Sequence, residues 1–288
     1  MLVNPTAGRL AGKRGAARLE GVRRKLKVER LEAELVRTES PAHAASEARA
    51  AAEAGEEVVA FGGDGMVRIT GAAMRGSDAI LGILPGGRGN DLAAVLGIPR
   101  DPIMACDVLA SGRAIPVDAG QVNGELFLGI ASIGLESEVT PIANAAPRWG
   151  GRAVYLGATL YGLARWRPAR FELELDGERH AHTGYLAAAA NSGRFGAGMR
   201  LAPAARLDDG LLDVVLIEHV SRLHFVRATP KVFKGTHVEE PNVRMWRAAR
   251  VRLEADRPFA VYADGDQVAH TPALIEAIPG ALQIRAPR

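Results

Sequence analysis

Three polar, glycine-containing segments each follow a strand-like apolar run: 4–8 (NPTAG), 62–65 (GGDG) and 85–91 (PGGRGND). Glycine lets a backbone approach a phosphate closely, and the N–H groups that open a following helix attract anions. The planar guanidinium of Arg88 matches phosphate oxygens, and the carboxylate of Asp64 is a hard donor of the kind that Mg²⁺ or its bound water takes. Together the segments favour a nucleotide phosphate site, although each alone is also typical of an ordinary strand–helix turn.

A fourth segment, 263–266 (ADGD), ends the apolar run 259–263 and carries a carboxylate on either side of a glycine. Beside a phosphoryl-transfer site, one of Asp264 and Asp266 can accept the proton of an attacking hydroxyl while the other organises metal or water. The same residue types also make an ordinary hairpin turn. The function of this segment therefore depends on what surrounds it.

Two residues of the 85–91 segment have structural interpretations beside the chemical ones. Asp91 is at least as typical of a helix cap as of catalysis. Asn90 either hydrogen-bonds a nucleotide or locks the loop. Residue type alone leaves both alternatives open.

The first part of the chain alternates strand-like and helix-like stretches, and these elements must position the segments. The predicted strands are 1–4, 58–61 and 80–84, and the predicted helices are 11–27, 40–54 and 66–75. Ser40 and Pro41 mark a helix start, because serine caps free N–H groups and proline tolerates the first turn. This alternation predicts a parallel sheet with helices on both faces.

From Ile115 onward the pattern changes to short strand-like runs. They are 116–122, 126–133, 170–175, 185–190, 211–217, 251–255 and 259–263, interrupted by one predicted helix, 155–166. Asn123-Gly124 and Asp176-Gly177 supply the positive φ angles that tight hairpins demand. The sequence thus predicts an α/β domain over 1–114 and a mostly antiparallel β domain over 115–273. The strand-like tail 281–285 can rejoin the first domain, which about 274–288 would complete.

Composition limits the protein class and its partners. At 48% hydrophobic and 24% charged residues the chain has ample material for a core, and Cys106 is predicted to be a buried small hydrophobe. No stretch approaches the ~18 apolar residues of a membrane span, and the start MLVNPTAG lacks signal-peptide features, so we expect a cytoplasmic protein. A net charge of +3 favours anionic partners. With 5% aromatic residues and no recognisable binding motif, nucleic acid is not expected among them.

The four segments stand in the order found in the diacylglycerol kinase catalytic-domain family. Further matches are 155–163 and the long segment 198–213, which runs from GMRLAP to LDDGLLD. Over essentially its whole length the chain resembles the soluble bacterial lipid kinases of that family, and more distantly sphingosine kinases and NAD kinases. The resemblance implies a Rossmann-like parallel α/β domain, a C-terminal β-sandwich domain and an ATP site in the cleft between them. It also implies an ATP-dependent lipid kinase, with diacylglycerol as the expected acceptor.

The resemblance also implies particular site residues, with ATP and Mg²⁺ as cofactors. The implied nucleotide contacts are Asn4, Pro5, Thr6, Ala7, Gly8, Thr38, Gly62, Gly63, Asp64, Gly65, Met66, Arg88 and Asn90. The implied catalytic carboxylates are Asp266, as general base, with Asp264 and Asp64. A structural Mg²⁺ is implied at Asp209 and the main-chain carbonyls of Arg206 and Leu211, an oxygen-only set that suits a hard cation.

The chain departs from the family pattern at several of these positions. Met66 and Arg88 each stand where threonine is usual, and Arg68-Ile69 replaces an Asn-Glu pair. Asp266 is one methylene shorter than the usual glutamate, and 135–137 (LES) replaces Phe-Asp-Ala. Two alternatives follow: a non-catalytic relative that binds nucleotide or lipid, and an enzyme like the NAD kinases. Phosphorylation assays with lipid and with NAD as acceptors separate them.

The chain also carries a pattern typical of peripheral membrane binding. Trp149, Trp166 and Trp246 each lie close to arginines in the sequence. Tryptophan favours the headgroup region and arginine is attracted to anionic lipid, so Arg165-Trp166-Arg167 is predicted to lie at a membrane interface. The leucines of the helix 155–166 either line a lipid entrance or belong to the core, and we favour the core. An exposed strand of the β domain would suit a homodimer.

Overall fold

The computed structural model describes residues 1–8, 10–145, 151–196 and 198–288, with the side chains of all but 143–145 and 151–156. The chain forms two compact units. Unit 1 comprises Met1–Ala119 and Pro279–Arg288, and unit 2 comprises Gly120–Ile278. Both boundaries fall inside strands, a few residues after the predicted positions.

Unit 1 is an α/β unit with a parallel sheet. Its elements are β1 (Leu2–Val3), α1 (Gly12–Val28), β2 (Val36–Arg37), α2 (Pro41–Glu53), β3 (Val58–Gly62), α3 (Asp64–Met74), β4 (Ile80–Pro85), α4 (Asp91–Val95), α5 (Pro102–Ser111), the start of β5 (Arg113–Val122) and the end of β15 (Ala273–Ala286). The strand order is β15-β4-β3-β1-β2, and all four pairs are parallel. The order of the strands reverses between β1 and β3, and such switch points are where open α/β sheets bind ligands.

Local sequence explains the helix that opens beside this switch point. Ser40 caps α2, since its side chain accepts a hydrogen bond from His43 N at 3.1 Å, and Pro41 stands at the first helical position. Ala44, Ala48 and Ala52 share one buried face. Small side chains there let α2 pack closely on its neighbours.

Unit 2 is a β-sandwich-like unit of antiparallel strands with three helices. Its elements are the end of β5, β6 (Glu125–Phe127), β7 (Ile130–Gly134), α6 (Leu135–Ala145), α7 (Gly151–Arg165), β8 (Ala169–Leu175), β9 (Glu178–Ala190), β10 (Leu212–Glu218), α8 (Arg222–Lys234), a 3₁₀ turn (Thr236–Glu239), β11 (Val243–Ala248), β12 (Arg250–Ala255), β13 (Ala260–Ala263), β14 (Asp266–His270) and the start of β15. The long strand β9 pairs with β8 through its first half and with both β7 and β10 through its second half. One large apolar cluster fills the core on one side of these strands, and a smaller cluster lies on the other.

The predicted hairpin chemistry is confirmed. Asn123 and Gly124 have φ angles of 48° and 95°, and Asp176 and Gly177 have 50° and 97°. Both pairs therefore adopt the left-handed conformation that asparagine, aspartate and glycine tolerate best. Cys106 is buried in α5, as its apolar pattern predicts.

The predicted interfacial position of Trp166 is wrong. Its side chain is only 3% exposed and packs with Tyr185 and Phe259 at ring-centroid distances of 6.3 and 5.8 Å. Arg257 covers the ring, with its guanidinium 5.3 Å from the centroid. An arginine distant in sequence thus shields this tryptophan, which the local Arg-Trp-Arg pattern could not reveal.

The other aromatic and leucine predictions have mixed outcomes. Trp246 is half-buried beside His180 and His182. The core interpretation holds for Leu163, which is 3% exposed, but not for Leu160, which is 45% exposed. Arg148 and Trp149 lie outside the described residues, as do the side chains of Arg152, Tyr155 and Leu156. Within the described ranges, no helix combines the length and apolar character needed to cross a membrane.

Candidate functional site

The turn after β1 is built around Asn4. Its Oδ1 accepts hydrogen bonds from Thr6 N at 3.0 Å and Thr6 Oγ1 at 2.9 Å, which closes an Asx-type turn. Asn4 N donates to Phe61 O at 3.1 Å and so ties the turn to β3. The segment 4–8 is therefore held at the carboxyl ends of the two strands that flank the switch point.

Two glycine segments pack directly against each other at the ends of β3 and β4. Gly62 O accepts hydrogen bonds from Gly86 N at 2.6 Å and Gly87 N at 3.1 Å. A Cβ atom on Gly87 would lie 2.4 Å from Gly63 Cα, so no larger residue fits there without moving the backbone. This close approach explains why both segments are rich in glycine.

Asp64 fastens the second glycine segment from the start of α3. Its Oδ2 accepts a hydrogen bond from Asn90 N at 2.7 Å, and its Oδ1 accepts one from Asp91 N at 2.6 Å. Asn90 has a φ of 55°, and its side chain both accepts from Gly87 N and donates to Gly87 O, each at 2.9 Å. Asn90 is 5% exposed, so the structure agrees with its loop-locking interpretation. Each oxygen of Asp64 retains a second lone pair for another partner.

These turns line a pocket of about 330 Å³. It brings together the predicted residues Asn4, Thr6, Ala7, Gly8, Thr38, Gly63, Gly65 and Met66. Thr38 lies at the edge of the sheet, where its hydroxyl donates to Val3 O at 3.2 Å. The side chain of Met66 packs beneath Gly62, whose Cβ would lie 2.6 Å from Met66 Cβ. Pro5 belongs to the same turn, whereas Gly62, Asp64 and Asn90 act in the loops just described.

Sequence reasoning missed part of this pocket. The additional lining residues are Glu39, Ser40, Pro41, Ala44 and Ile69, and Gly87 comes from the predicted segment 85–91. Four of them belong to the start of α2 or precede it directly, and a helix N-terminus is a favourable place for an anion. The Ser-Pro cap after a strand was the signal that could have identified them.

Arg88 lies against the turn after β1. A Cβ atom on Gly8 would lie 3.1 Å from Arg88 Cγ and 3.6 Å from its Nε. The exposed arginine side chain thus runs past residues of the pocket wall. Arg88 adds a cation beside a pocket that is lined by main-chain groups, hydroxyls, apolar side chains and the carboxylate of Glu39. A guanidinium at this position could bind phosphate oxygens.

In unit 2, Asp264 and Asp266 have different surroundings. The turn between β13 and β14 places Asp264 at φ 51° and Gly265 at φ 88°, as in a tight hairpin. The Asp264 carboxylate accepts hydrogen bonds from the main-chain N–H groups of Leu128 (2.8 Å), Gly129 (2.8 Å) and Ile130 (3.2 Å). Asp266, at the start of β14, is exposed. Asp264 therefore anchors the turn, and Asp266 is the accessible carboxylate of the pair.

Glu136 is a further carboxyl group that sequence reasoning did not select. It opens α6, in the 135–137 segment where the family usually has Phe-Asp-Ala. Ser132 Oγ donates a hydrogen bond to Glu136 Oε2, and Ser132 faces Tyr262 in the register of β7 and β13. Burial raises the pKa of Glu136 to about 7. The sequence signal that could have identified Glu136 is the departure of 135–137 (LES) from the usual Phe-Asp-Ala.

The implied magnesium ligands lie in the loop before β10. Asp209 Oδ1 accepts a hydrogen bond from Leu211 N at 3.1 Å, while its Oδ2 contacts the guanidinium of Arg247. Arg247 also lies 3.9 Å from Asp213, whose pKa burial raises. The guanidinium of Arg247 thus already neutralises the charge of the Asp209 carboxylate, which a divalent cation would need as a ligand. In this arrangement the residues do not fit a structural Mg²⁺.

The rest of that loop supports the same conclusion. The side chain of Arg206 pairs with Asp208 at 3.0 Å, which places a second cation beside the implied site. The set Arg206, Asp209 and Leu211 remains a hypothesis, and Mg²⁺-dependent melting tests it.

Comparison with known proteins gives consistent matches. Residues 1–122 match the diacylglycerol kinase catalytic domain, and residues 129–286 match the YegS C-terminal NAD kinase beta sandwich-like domain. A diacylglycerol kinase of Mycobacterium tuberculosis is 39% identical over 84% of this chain and 80% of its own length. A probable YegS-like lipid kinase of Chromohalobacter salexigens is 32% identical over 83% of this chain and 79% of its own.

Solved structures agree on the fold. A crystal structure of a diacylglycerol kinase from Bacillus anthracis covers 99% of this chain and 95% of its own, with a TM-score of 0.77. Its sequence is 20% identical to this one, so the likeness concerns the fold alone. The mixed α/β unit followed by a β-sandwich-like unit is the shared architecture.

Proposed function

The chain belongs to the diacylglycerol kinase family of lipid kinases, and from this premise we propose that it transfers the γ-phosphate of ATP to the hydroxyl of diacylglycerol. The observation that carries the proposal is the pocket at the carboxyl ends of β1 and β3. There two interlocked glycine segments, the turn after β1 and the start of α2 line a space suited to phosphate groups, and Arg88 lies against that turn. Phosphoryl transfer depends chiefly on such positioning and charge compensation.

Binding of the nucleotide is assigned to unit 1. Main-chain N–H groups of the glycine segments and the guanidinium of Arg88 would hold the phosphates. Asp64 keeps the second glycine segment in place through Asn90 N and Asp91 N. Mg²⁺ bound with ATP would supply positive charge against the phosphate oxygens.

Acceptor activation is assigned to Asp266. A lipid hydroxyl must lose its proton as it attacks phosphorus, and an exposed carboxylate can accept it. Asp264 is a positioning residue, since three main-chain N–H groups hold its carboxylate and fix the turn. The shorter side chain of Asp266, relative to glutamate, places the carboxylate closer to its own backbone.

A lipid screen with radiolabelled ATP tests the proposal. Purified protein is incubated with ATP, Mg²⁺ and separate detergent dispersions of diacylglycerol, phosphatidylglycerol, a sphingoid base and a control lipid without a hydroxyl group. We expect label in phosphatidic acid and none in the control. Label only in another lipid would correct the acceptor, and no label in any lipid would contradict lipid kinase activity itself.

Met66 motivates a second candidate, a nucleotide- or lipid-binding protein without catalysis. It lines the pocket with a thioether where the family usually has a threonine hydroxyl. If this alternative holds, calorimetry detects ATP binding, but the lipid screen shows no radiolabelled lipid. An assay with NAD as acceptor separately tests an NAD kinase-like activity.

The proposal includes a peripheral position on anionic membranes in the cytoplasm. A diacylglycerol acceptor lies in a bilayer, so the protein must meet the lipid surface, and its net charge of +3 favours anionic headgroups. A homodimer remains part of the hypothesis. In the pairing described, β11 pairs only with β10 and β14 only with β13, so each has an outer edge that could pair with a second copy.

A further inference from the structure

The helix α8 (Arg222–Lys234) is firmly attached through one side. Phe225 packs on Tyr185, with ring centroids 4.6 Å apart, and Ser221 caps the helix by accepting a hydrogen bond from His224 N. Lys231 forms an ion pair with Glu240 in the following segment. The position of this helix is therefore well defined by contacts within unit 2.

The other side of α8 carries an apolar stripe. Leu223, Val226, Pro230 and Phe233 follow one another at intervals of three, four and three residues, which places them on one helix face. All four are exposed, with values of 60% for Leu223, 41% for Val226 and 42% for Phe233. α8 contains no buried residue at all. The helix therefore has two apolar faces: Phe225 packs against the core, whereas the stripe of Leu223, Val226, Pro230 and Phe233 faces solvent.

The charge of α8 has a single sign. Arg222, Arg227, Lys231 and Lys234 are its basic residues, and the sequence RLHFVRATPKVFK contains no aspartate or glutamate. Exposed apolar side chains flanked by cations are the combination that lies in the headgroup region of an anionic membrane. Two such faces would repel each other, so a second copy of the chain is the poorer occupant.

The basic surface continues beyond the helix start. Arg222 Nη2 donates to Trp166 O at 3.5 Å, and Arg257 Nη2 donates to Arg167 O at 2.6 Å. Arg165, Arg167 and Arg257, with Glu138, line a shallow surface depression. These arginines extend the cationic area from Arg222 at the start of α8, while Trp166 itself is buried.

We propose that the outward face of α8 is the surface through which this protein binds anionic membranes. Leu223, Val226 and Phe233 enter the headgroup region, and Arg227 and Lys234 contact lipid phosphates. The inference rests on the proposed function, because it names the surface that brings a lipid kinase to its acceptor.

Vesicle sedimentation tests the surface with matched variants. The triple variant Leu223→Ser, Val226→Ser, Phe233→Ser removes the stripe, and Arg227→Glu with Lys234→Glu reverses the charge. The controls are Val28→Ser with Met104→Ser, which are 74% and 55% exposed in unit 1, and the exposed pair Arg23→Glu with Arg24→Glu on α1. Vesicles are phosphatidylcholine alone and phosphatidylcholine with phosphatidylserine.

The expected result is preferential binding of the parent protein to the vesicles that contain phosphatidylserine. Each α8 variant should lower the partition coefficient at least tenfold, roughly the effect of removing two favourable charges at a surface. The control variants should bind like the parent. Parent-like binding by the α8 variants, or equal losses in the controls, would overturn the proposal.

Two measurements keep this inference separate from the proposed function. Melting temperatures of the α8 variants should equal that of the parent, because the replaced side chains are exposed; if they fall, the single variants Leu223→Ser and Phe233→Ser take over the test. Turnover of a water-dispersed short-chain diacylglycerol should persist in the α8 variants while turnover in vesicles falls. If the parent protein binds vesicles but phosphorylates no lipid, the kinase assignment is contradicted, whereas the proposed membrane-binding surface is still supported. A parent dimer that α8 variants convert to monomers, with unchanged vesicle binding, would show that a second copy covers the stripe.

Discussion

Asp264 and Asp266, on either side of Gly265, are expected to have different roles. Three main-chain N–H groups hold Asp264, whereas Asp266 is exposed. Asp266→Asn should lower kcat by about 10²–10⁴-fold and leave the affinity for ATP nearly unchanged, because only the proton acceptor is lost. Asp264→Asn is the matched control: it should lower the melting temperature, which Asp266→Asn should not. Near-parental turnover of Asp266→Asn would remove it from the role of base.

Arg88 lies against Gly8 in the turn after β1. If it contacts phosphate, Arg88→Ala should raise the KM for ATP and leave the preference among lipid acceptors unchanged. Arg100→Ala, which removes an exposed arginine elsewhere in unit 1, serves as the control. The prediction is checked by initial rates over a range of ATP concentrations. If the KM for ATP equals that of the parent, Arg88 does not contact the phosphates and is an ordinary surface residue.

Glu136 gives a prediction about pH. Burial raises its pKa from 4.5 to about 7, so between these values the folded protein holds a proton that the unfolded chain has released. The free energy of unfolding therefore falls as pH rises through this range, by proton linkage. Glu136→Gln should remove that decrease and stabilise the protein more at pH 8 than at pH 5. Denaturant unfolding at both pH values measures it, with Glu138→Gln, an exposed position of the same helix, as control; equal effects at the two pH values would contradict the raised pKa.

At the scale of the element, the two glycine segments at the ends of β3 and β4 approach each other closely. A Cβ atom on Gly87 would lie 2.4 Å from Gly63 Cα. Gly87→Ala should therefore destabilise the protein by about 1–3 kcal/mol and weaken ATP binding, since the backbone must shift. A Cβ atom on Gly65 meets nothing within 4 Å, so Gly65→Ala is the matched control for melting. Equal melting temperatures for the two variants would disprove the close approach.

Elements with strong local signals could be predicted from the sequence. Asn123-Gly124 and Asp176-Gly177 correctly predicted two hairpins, and Ser40-Pro41 correctly predicted the start of α2. The helix α8 was missed, because its apolar stripe faces solvent and Pro230 interrupts it, so neither periodicity nor composition marks a core helix. The short strand β11 was also missed, since half-buried and exposed residues make up most of it.

Site residues divide in a similar way. Glycine and aspartate segments at strand ends identified most of the pocket, because the chemistry of phosphate binding is local. The share of the pocket contributed by Ser40, Pro41 and Ile69 depends on how the strands are ordered in the sheet. The burial of Trp166 likewise depends on Arg257, which lies far along the chain. Sequence patterns report local preferences, and these features are set by tertiary packing.

At the scale of the whole molecule, stability and metal dependence are linked through Arg247. Its guanidinium contacts Asp209 and lies 3.9 Å from Asp213, so two carboxylates share one cation. Without nucleotide, we expect the melting temperature of the parent to be indifferent to Mg²⁺, and Arg247→Met to melt lower and to regain part of the loss when Mg²⁺ is added. Thermal melting with Mg²⁺ and with EDTA measures both. A parent stabilised by Mg²⁺, with the effect abolished in Asp209→Ala, would instead support the implied metal site.

The last strand of the chain has a consequence for biosynthesis. Gln283 and Ile284 of β15 pair with Ile80 and Leu81 of β4, and Leu282 and Ile284 are buried. Most of unit 1 therefore leaves the ribosome before unit 2, but its sheet is complete only when residues 279–288 have been translated. Until then the outer edge of β4 is an open template for pairing with other chains. Nascent chains of this protein are thus expected to depend on chaperones until residues 279–288 have emerged, and a truncation after Ile278 should yield an aggregating product although every pocket-lining residue is still present.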